Sequence, residues 1–188
     1  MRSSTLRLGS PVWPLAVALA IAGQGRAGAA FITLSANLTG SQVVPSTAST
    51  GTGAATFVLN DVIGSLTGSV TFSNLTSPTA AGSAGFVAGI FSGLPGQNGP
   101  SLHPMASAPS GVTAGSFTDL WVGISAANIA LLKSGSTYLS ISSQAFPGGE
   151  IRGQITVVPE PASVALTAVG AAALLGAAWR GRAGRRRG

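Results

Sequence analysis

GAATFVLNDVIGSLTGSVTF, residues 53–72, decides the fold class. Within it Ala55, Phe57 and Leu59, and then Leu66, Gly68, Val70 and Phe72, alternate with polar or small residues, and Asn60-Asp61 stands between the two runs. Successive side chains on a strand point to opposite faces, so a period of two marks a strand with one face on a core. Asn and Asp favour turns because their side chains bond the backbone two residues on. The stretch therefore predicts two strands separated by a turn.

The same period continues outward. Ile32, Leu34, Ala36 and Leu38 alternate before it, and strands are expected near 85–91, 116–122, 138–143 and 150–157, with Gly, Ser, Thr, Asn and Pro clusters such as 46–53 between them. Seven or so short strands punctuated by turns predict an all-β protein, an antiparallel sandwich or barrel. A sandwich of Greek-key or immunoglobulin/superoxide-dismutase-like order is the expectation. Residues 125–133 break the pattern: Ser125 as N-cap, Ile129 and Leu132 three apart, Lys133 in the last turn and Gly135 just beyond predict one short helix. Residues 93–111, with Pro95, Pro100, Pro104 and Pro109, read as a long surface loop.

All seven phenylalanines, with Trp121 and Tyr138, fall between residues 31 and 146. Burying one such ring contributes about 1.5–3 kcal/mol, enough with the surrounding aliphatics for one core. There are no cysteines, so neither disulfide nor thiolate chemistry is available. The net charge of +6 resides at the chain ends. Between residues 30 and 157 only Lys133 and Arg152 stand against Asp61, Asp119 and Glu150, one net negative charge. No basic stripe exists there to neutralise phosphates, which excludes nucleic acid as a partner.

The ends read as addresses. Residues 1–29 have the form of a secretory signal peptide: Arg2 and Arg7, an apolar helix-forming stretch over 11–22, and small residues closing on Ala27-Gly28-Ala29. Residues 158–188 carry Val158-Pro159-Glu160-Pro161, then no charge over 162–179, then Arg180, Arg182, Arg185, Arg186 and Arg187. Eighteen residues as a helix span about 27 Å, near a bilayer's hydrocarbon thickness. The arginines would hold the tail in the cytoplasm and place the domain, residues 30–157, outside. This order of parts resembles the PEP-CTERM sorting signal of exported bacterial proteins. The resemblance implies an exosortase-type membrane protease that removes the tail, after transient inner-membrane anchoring, in cells that make exopolysaccharide.

Two patches of the domain resemble the CHRD domain. Residues 38–57, LTGSQVVPSTASTGTGAATF, are similar to its opening, and residues 125–155 to its end. The most specific piece is Pro147-Gly148-Gly149-Glu150-Ile151-Arg152-Gly153-Gln154. The resemblance implies an extracellular β-sandwich and no catalytic activity. Relatives often carry Ala-Ala-His-x-His after the middle strand and another histidine before the Pro-Gly-Gly segment. Here the first reads Ala80-Ala81-Gly82-Ser83-Ala84 and the second falls near Ser142, so those imidazoles are missing. A metal site needs several N, S or O ligands, and one histidine does not supply them, so no metal or other cofactor is expected.

His103 reads as a solvated loop residue. Glu150 and Arg152, two apart on a strand, point to one face and are expected to bond each other or nearby turn backbone. Asp61 and Asp119 sit in different contexts, with nothing in the sequence to bring them together as a hydrolytic pair. No Gly-x-Ser-x-Gly elbow appears. The expectation is therefore a non-enzymatic cell-surface or extracellular-matrix protein, associated with exopolysaccharide or biofilm through hydroxyl-rich outer faces. A protein-binding module of the CHRD type is the alternative, and a hydrolase a more distant one.

Overall fold

The computed structural model describes residues 31–159. The strands are β1 (Phe31–Thr39), β2 (Thr52–Asn60), β3 (Ser65–Ser73), β4 (Ala88–Ser92), β5 (Ser101–Pro104), β6 (Gly115–Val122), β7 (Thr137–Ile141) and β8 (Ile151–Val157). A 3₁₀ turn (Gly40–Gln42) follows β1, and one helix, α1 (Ala126–Lys133), precedes β7. All eight strands join one antiparallel sheet in the order β5-β4-β7-β8-β1-β2-β3-β6. The sheet curls on itself into a nearly closed, barrel-like form.

The alternation read from the sequence is the inside of this sheet. Leu34, Phe57, Leu66, Val70 and Trp121 face inward and pack with Ile90, Leu139, Ile141, Ile151 and Ile155 from the other strands. Gly68 keeps this layer flat: a Cβ there would fall 2.4 Å from Cδ1 of Phe57, on the neighbouring strand. The helix forms as its sequence indicates. Ser125 Oγ accepts from Asn128 N at 3.3 Å, and Gly135 takes a φ of 71°, which glycine alone adopts freely.

The region 93–111 is not one loop. Ile90 pairs with His103 and Phe91 with Ser101, making Ser101–Pro104 an eighth strand with a register shift in β4. Pro104 is tolerated because it closes an edge strand. Residues 93–100, the β4–β5 connection, fold back over the outside of β8. The signal stretch 1–29, Glu160, Pro161, the run 162–179 and the five tail arginines lie outside the described residues. Within 31–159 no helix is long and apolar enough to cross a membrane.

Candidate functional site

The outward positions of β8, β1, β2, β3 and β6 fall into register as cross-strand rows. Ser35 faces Thr56, Thr56 faces Ser69, Ser69 faces Thr118, and Thr156 continues the row beyond Ser35. The next row is Asn37, Ala54, Thr71 and Ser116, and the one beyond it Thr39, Thr52 and Ser73. No member carries a charge. Neighbouring strands lie about 4.8 Å apart, so hydroxyls repeat across the sheet at roughly that spacing. A shallow depression of about 320 Å³ lies at the far end of this grid, between Thr52–Ala54 and Thr71–Ser73. Each hydroxyl both donates and accepts, which suits contact with polyhydroxylated polymers.

The signature residues 147–154 form the turn before β8 and its first half. Glu150 and Arg152 do not bond each other. Glu150 precedes β8 and is fully buried. Its Oε1 accepts from Ser49 Oγ at 2.6 Å and from the Thr76 backbone N–H, while its own carbonyl accepts from Thr47 Oγ1 at 2.8 Å. Burial alone pushes this carboxyl up; hydrogen bonding from Ser143, Ser49 and Thr76 outweighs it and holds Glu150 below the ordinary carboxylate range. Oε2 of Glu150 and the Ser143 hydroxyl are both buried, and neither makes a hydrogen bond of regular geometry. Gly149 makes the approach possible: its φ of 117° is closed to other residues, and a Cβ would fall 2.5 Å from Ser140 Oγ.

Arg152, also buried, sits over the Tyr138 ring, with Cζ 3.5 Å from its centroid, and Tyr138 in turn stacks on Phe91 at 5.3 Å. Its guanidinium donates to Leu94 O at 3.1 Å and Asn98 Oδ1 at 3.3 Å, clamping the 93–100 connection. No carboxylate among the described residues pairs with it: Asp61 bonds Lys133 at 2.9 Å, and Asp119 and Glu150 are engaged elsewhere. Burial pushes the guanidinium down from its ordinary value, with the Tyr138 electrostatics opposing. Gln154 Nε2 ties the same connection by donating to Gly93 O and Gly135 O. Ile151 enters the core, and Gly153 lets β8 approach β1, a Cβ there meeting Asn37 O at 2.6 Å. Pro147 O accepts from Ser83 N at 2.7 Å, with Gly148 completing the turn. A cleft of about 330 Å³ remains between residues 41–44, Pro95, Gly96, Arg152 and Gln154.

His103 is not a solvated loop residue. Its Nε2 lies 2.7 Å from Oδ2 of Asp119, its ring stacks on Trp121 at 5.0 Å, and Asp119 Oδ1 also accepts from Ser107 Oγ. The serine bonds the acid and has no bond to the histidine, so this is not a nucleophilic triad. Asp61 and Asp119 serve different partners, as their sequence contexts suggested.

The family model of the CHRD domain matches residues 34–155, β1 to the end of the β8 core. The chain belongs to the CHRD-domain family. No curated protein and no solved structure matches it significantly. CHRD domains are typically extracellular or periplasmic, and this membership is consistent with a non-enzymatic module. The match spans the hydroxyl grid apart from Thr156 and the whole Glu150–Gln154 network. Gly82 and Ser142 come together: a Cβ on Gly82 would meet Ser142 Oγ at 2.3 Å and Pro147 O at 2.5 Å. The Ser142 side chain and the Pro147 carbonyl fill that space, so a side chain at position 82 would require both to shift. Among the described residues no group of three or more His, Asp or Glu converges.

Two features of the candidate site escape a reading of the sequence. The grid depends on register, which alternation does not specify, although the outward Ser and Thr residues were visible. The anchoring of Arg152 on Tyr138 and residues 94–98 joins segments 54 to 58 positions apart, with no local signal.

Proposed function

We propose that this CHRD domain is a non-enzymatic module of an exported cell-surface or matrix protein, which the C-terminal signal delivers into an exopolysaccharide layer. The hydroxyl grid is the observation that carries this reading. An uncharged lattice of Ser, Thr and Asn makes many weak, exchangeable hydrogen bonds, and repetition of such contacts along a polymer yields useful avidity where one contact is weak. Architecture supports it as well: we read the curled sheet as a flattened sandwich, its halves β5-β4-β7-β8 and β1-β2-β3-β6 facing one another. The grid then covers one broad side.

The delivery part of the proposal rests on the tail. Val158 N donates to Thr33 O at 2.9 Å, and Pro159 is exposed just beyond. The sorting motif Val158-Pro159-Glu160-Pro161 thus begins where strand pairing ends, in reach of an exosortase-type protease. A retained domain of residues 30–157 would carry one net negative charge.

The test is co-sedimentation of the domain with exopolysaccharide from the producing cells, beside a variant carrying Thr56→Glu and Ser69→Glu. Both positions are exposed, so the fold is expected to persist. Loss of binding with an unchanged melting temperature supports the grid; unchanged binding refutes it. A second reading, a module that binds a protein partner, is favoured by the cleft beside Arg152. It predicts that the two glutamates leave partner capture intact while Gln42→Ala or Gln154→Ala weakens it.

A further inference from the structure

The grid does not run the full height of the sheet. Toward one end its rows turn apolar: Val58 and Leu120 flank Thr67, and the last row runs from Phe31 through Asn60 and Ser65 to Val122. Beyond that row, the β2–β3 turn presents Val62 and Ile63, their backbone N–H groups bonded to Asn60 Oδ1 and their side chains free. Phe31, Val62, Ile63 and Val122 are 63 to 69% exposed. Of the nine large hydrophobic side chains exposed among the described residues, all except Leu94 belong to these rows, this turn or the Val157–Val158 exit from β8. The charges at this end, Asp61 and Lys133, neutralise each other at 2.9 Å. An apolar concentration of this kind on an otherwise hydroxyl-rich surface marks an interaction face.

Both ends of the domain emerge here. Phe31 opens β1 in the last row, and Val158 leaves beside Thr33. The uncharged run begins at residue 162, three positions after Pro159. Three residues extend at most about 10 Å. The polar headgroup layer on each side of a bilayer is about 5–7 Å deep, the difference between its full and hydrocarbon thickness. If residues 162–179 span the bilayer, as the proposed function holds, even a fully extended tether reaches only about 3–5 Å past the headgroup layer, so this end is held at the lipid surface.

We propose that the Phe31, Val62, Ile63 and Val122 end is a lipid-facing surface, which rests in the headgroup layer while the chain is anchored. This inference depends on residues 162–179 being a membrane span. Seating the domain this way points the hydroxyl grid away from the membrane along the sheet. It also holds the Pro-Glu-Pro motif at the bilayer surface, the plane in which a membrane-embedded protease works. Shallow insertion of aliphatic and aromatic side chains is the mode of interfacial binding. A second copy on this face is the competing occupant, and the short tether favours lipid.

The chain lacks cysteine, so a single substitution labels one site. The full chain carrying Ile63→Cys with an environment-sensitive fluorophore is reconstituted in vesicles of phosphatidylcholine and phosphatidylglycerol, beside Ser116→Cys on the Asn37–Ser116 row of the grid. The expected result is blue-shifted emission quenched by nitroxide-labelled lipid at position 63, with position 116 quenched only by aqueous iodide. Adding Val62→Asp to the Ile63→Cys chain should return the probe to iodide while the chain stays in the vesicles. Equal iodide quenching at 63 and 116 in a chain that resists carbonate extraction overturns the inference alone. A chain washed out by carbonate overturns the membrane-span reading and this inference with it. A blue shift that follows protein concentration and ignores nitroxide lipid assigns the face to a second copy and refutes lipid contact.

Discussion

Nε2 of His103 and Oδ2 of Asp119, 2.7 Å apart, join the two strands that no backbone pairing connects, β5 and β6 at opposite ends of the sheet order. Both side chains point inward with Ile90 and Trp121, and the imidazole lies parallel to the indole. The pair bridges by side chains the one gap in the curled sheet that the hydrogen-bond ladder leaves open.

Removing one member strands the other in a largely dry site. Asp119→Ala should cost about 1–3 kcal/mol of stability, the usual penalty for a buried polar group left without its partner. Urea denaturation of the domain measures it. An unchanged midpoint would mean that the seam is held by apolar packing alone.

Glu150 predicts an acid-sensitive domain. Its folded pKa lies below its unfolded value, so its stabilisation is fully present above the ordinary glutamate pKa of about 4.3 and is lost as pH falls through the lower folded value. Glu150→Gln should be less stable than the parent at pH 7, and its stability should fall less steeply below about pH 4.3. Parallel curves for the two proteins would contradict this.

Arg152 holds residues 93–100 by geometry as well as charge. Lysine keeps the charge but lacks the planar group that stacks on Tyr138 while donating to two acceptors. Arg152→Lys should speed amide exchange of Gly99, whose N–H faces Tyr138 Oη, and of its neighbours, leaving β2 and β3 protected. Unaltered exchange at 93–100 would show that Gln154 suffices as the clamp.

Gly68→Val should destabilise by about 1–3 kcal/mol through overpacking, because Phe57 occupies the space of the new side chain. The drop in thermal midpoint checks it, and a neutral result would place Phe57 in another rotamer. The purified domain should also hold no stoichiometric zinc or copper after dialysis; one metal per chain by elemental analysis would reverse that expectation.

The strands with an apolar face were legible because burial imposes a period of two, and Leu34, Phe57, Leu66, Val70 and Trp121 all obey it. β5 was not legible: Ser101–Pro104 is four residues long, ends in proline and owes its pairing to Ile90 and Phe91. The reading of His103 failed for the same reason, since a loop residue and an inward strand residue look alike without the register. Glu150 and Arg152 are expected from the sequence to bond each other or nearby turn backbone; they do not bond each other, and their partners, Ser49 and Asn98, lie 101 and 54 residues away. Alternation also revealed the outward hydroxyls, while their alignment into rows needed the pairing of five strands.

The most direct measurement is the distribution of the protein between extracellular polymer and medium in cells making the full chain or a chain ending at Val157, in a strain lacking the native gene. The account predicts that the full chain is recovered from the polymer fraction, without residues 162–188, and restores biofilm or floc. It predicts that the shortened chain stays in the medium and does not. Restoration by the shortened chain from the medium, or a polymer-bound protein that still carries Arg180 to Arg187, would contradict it.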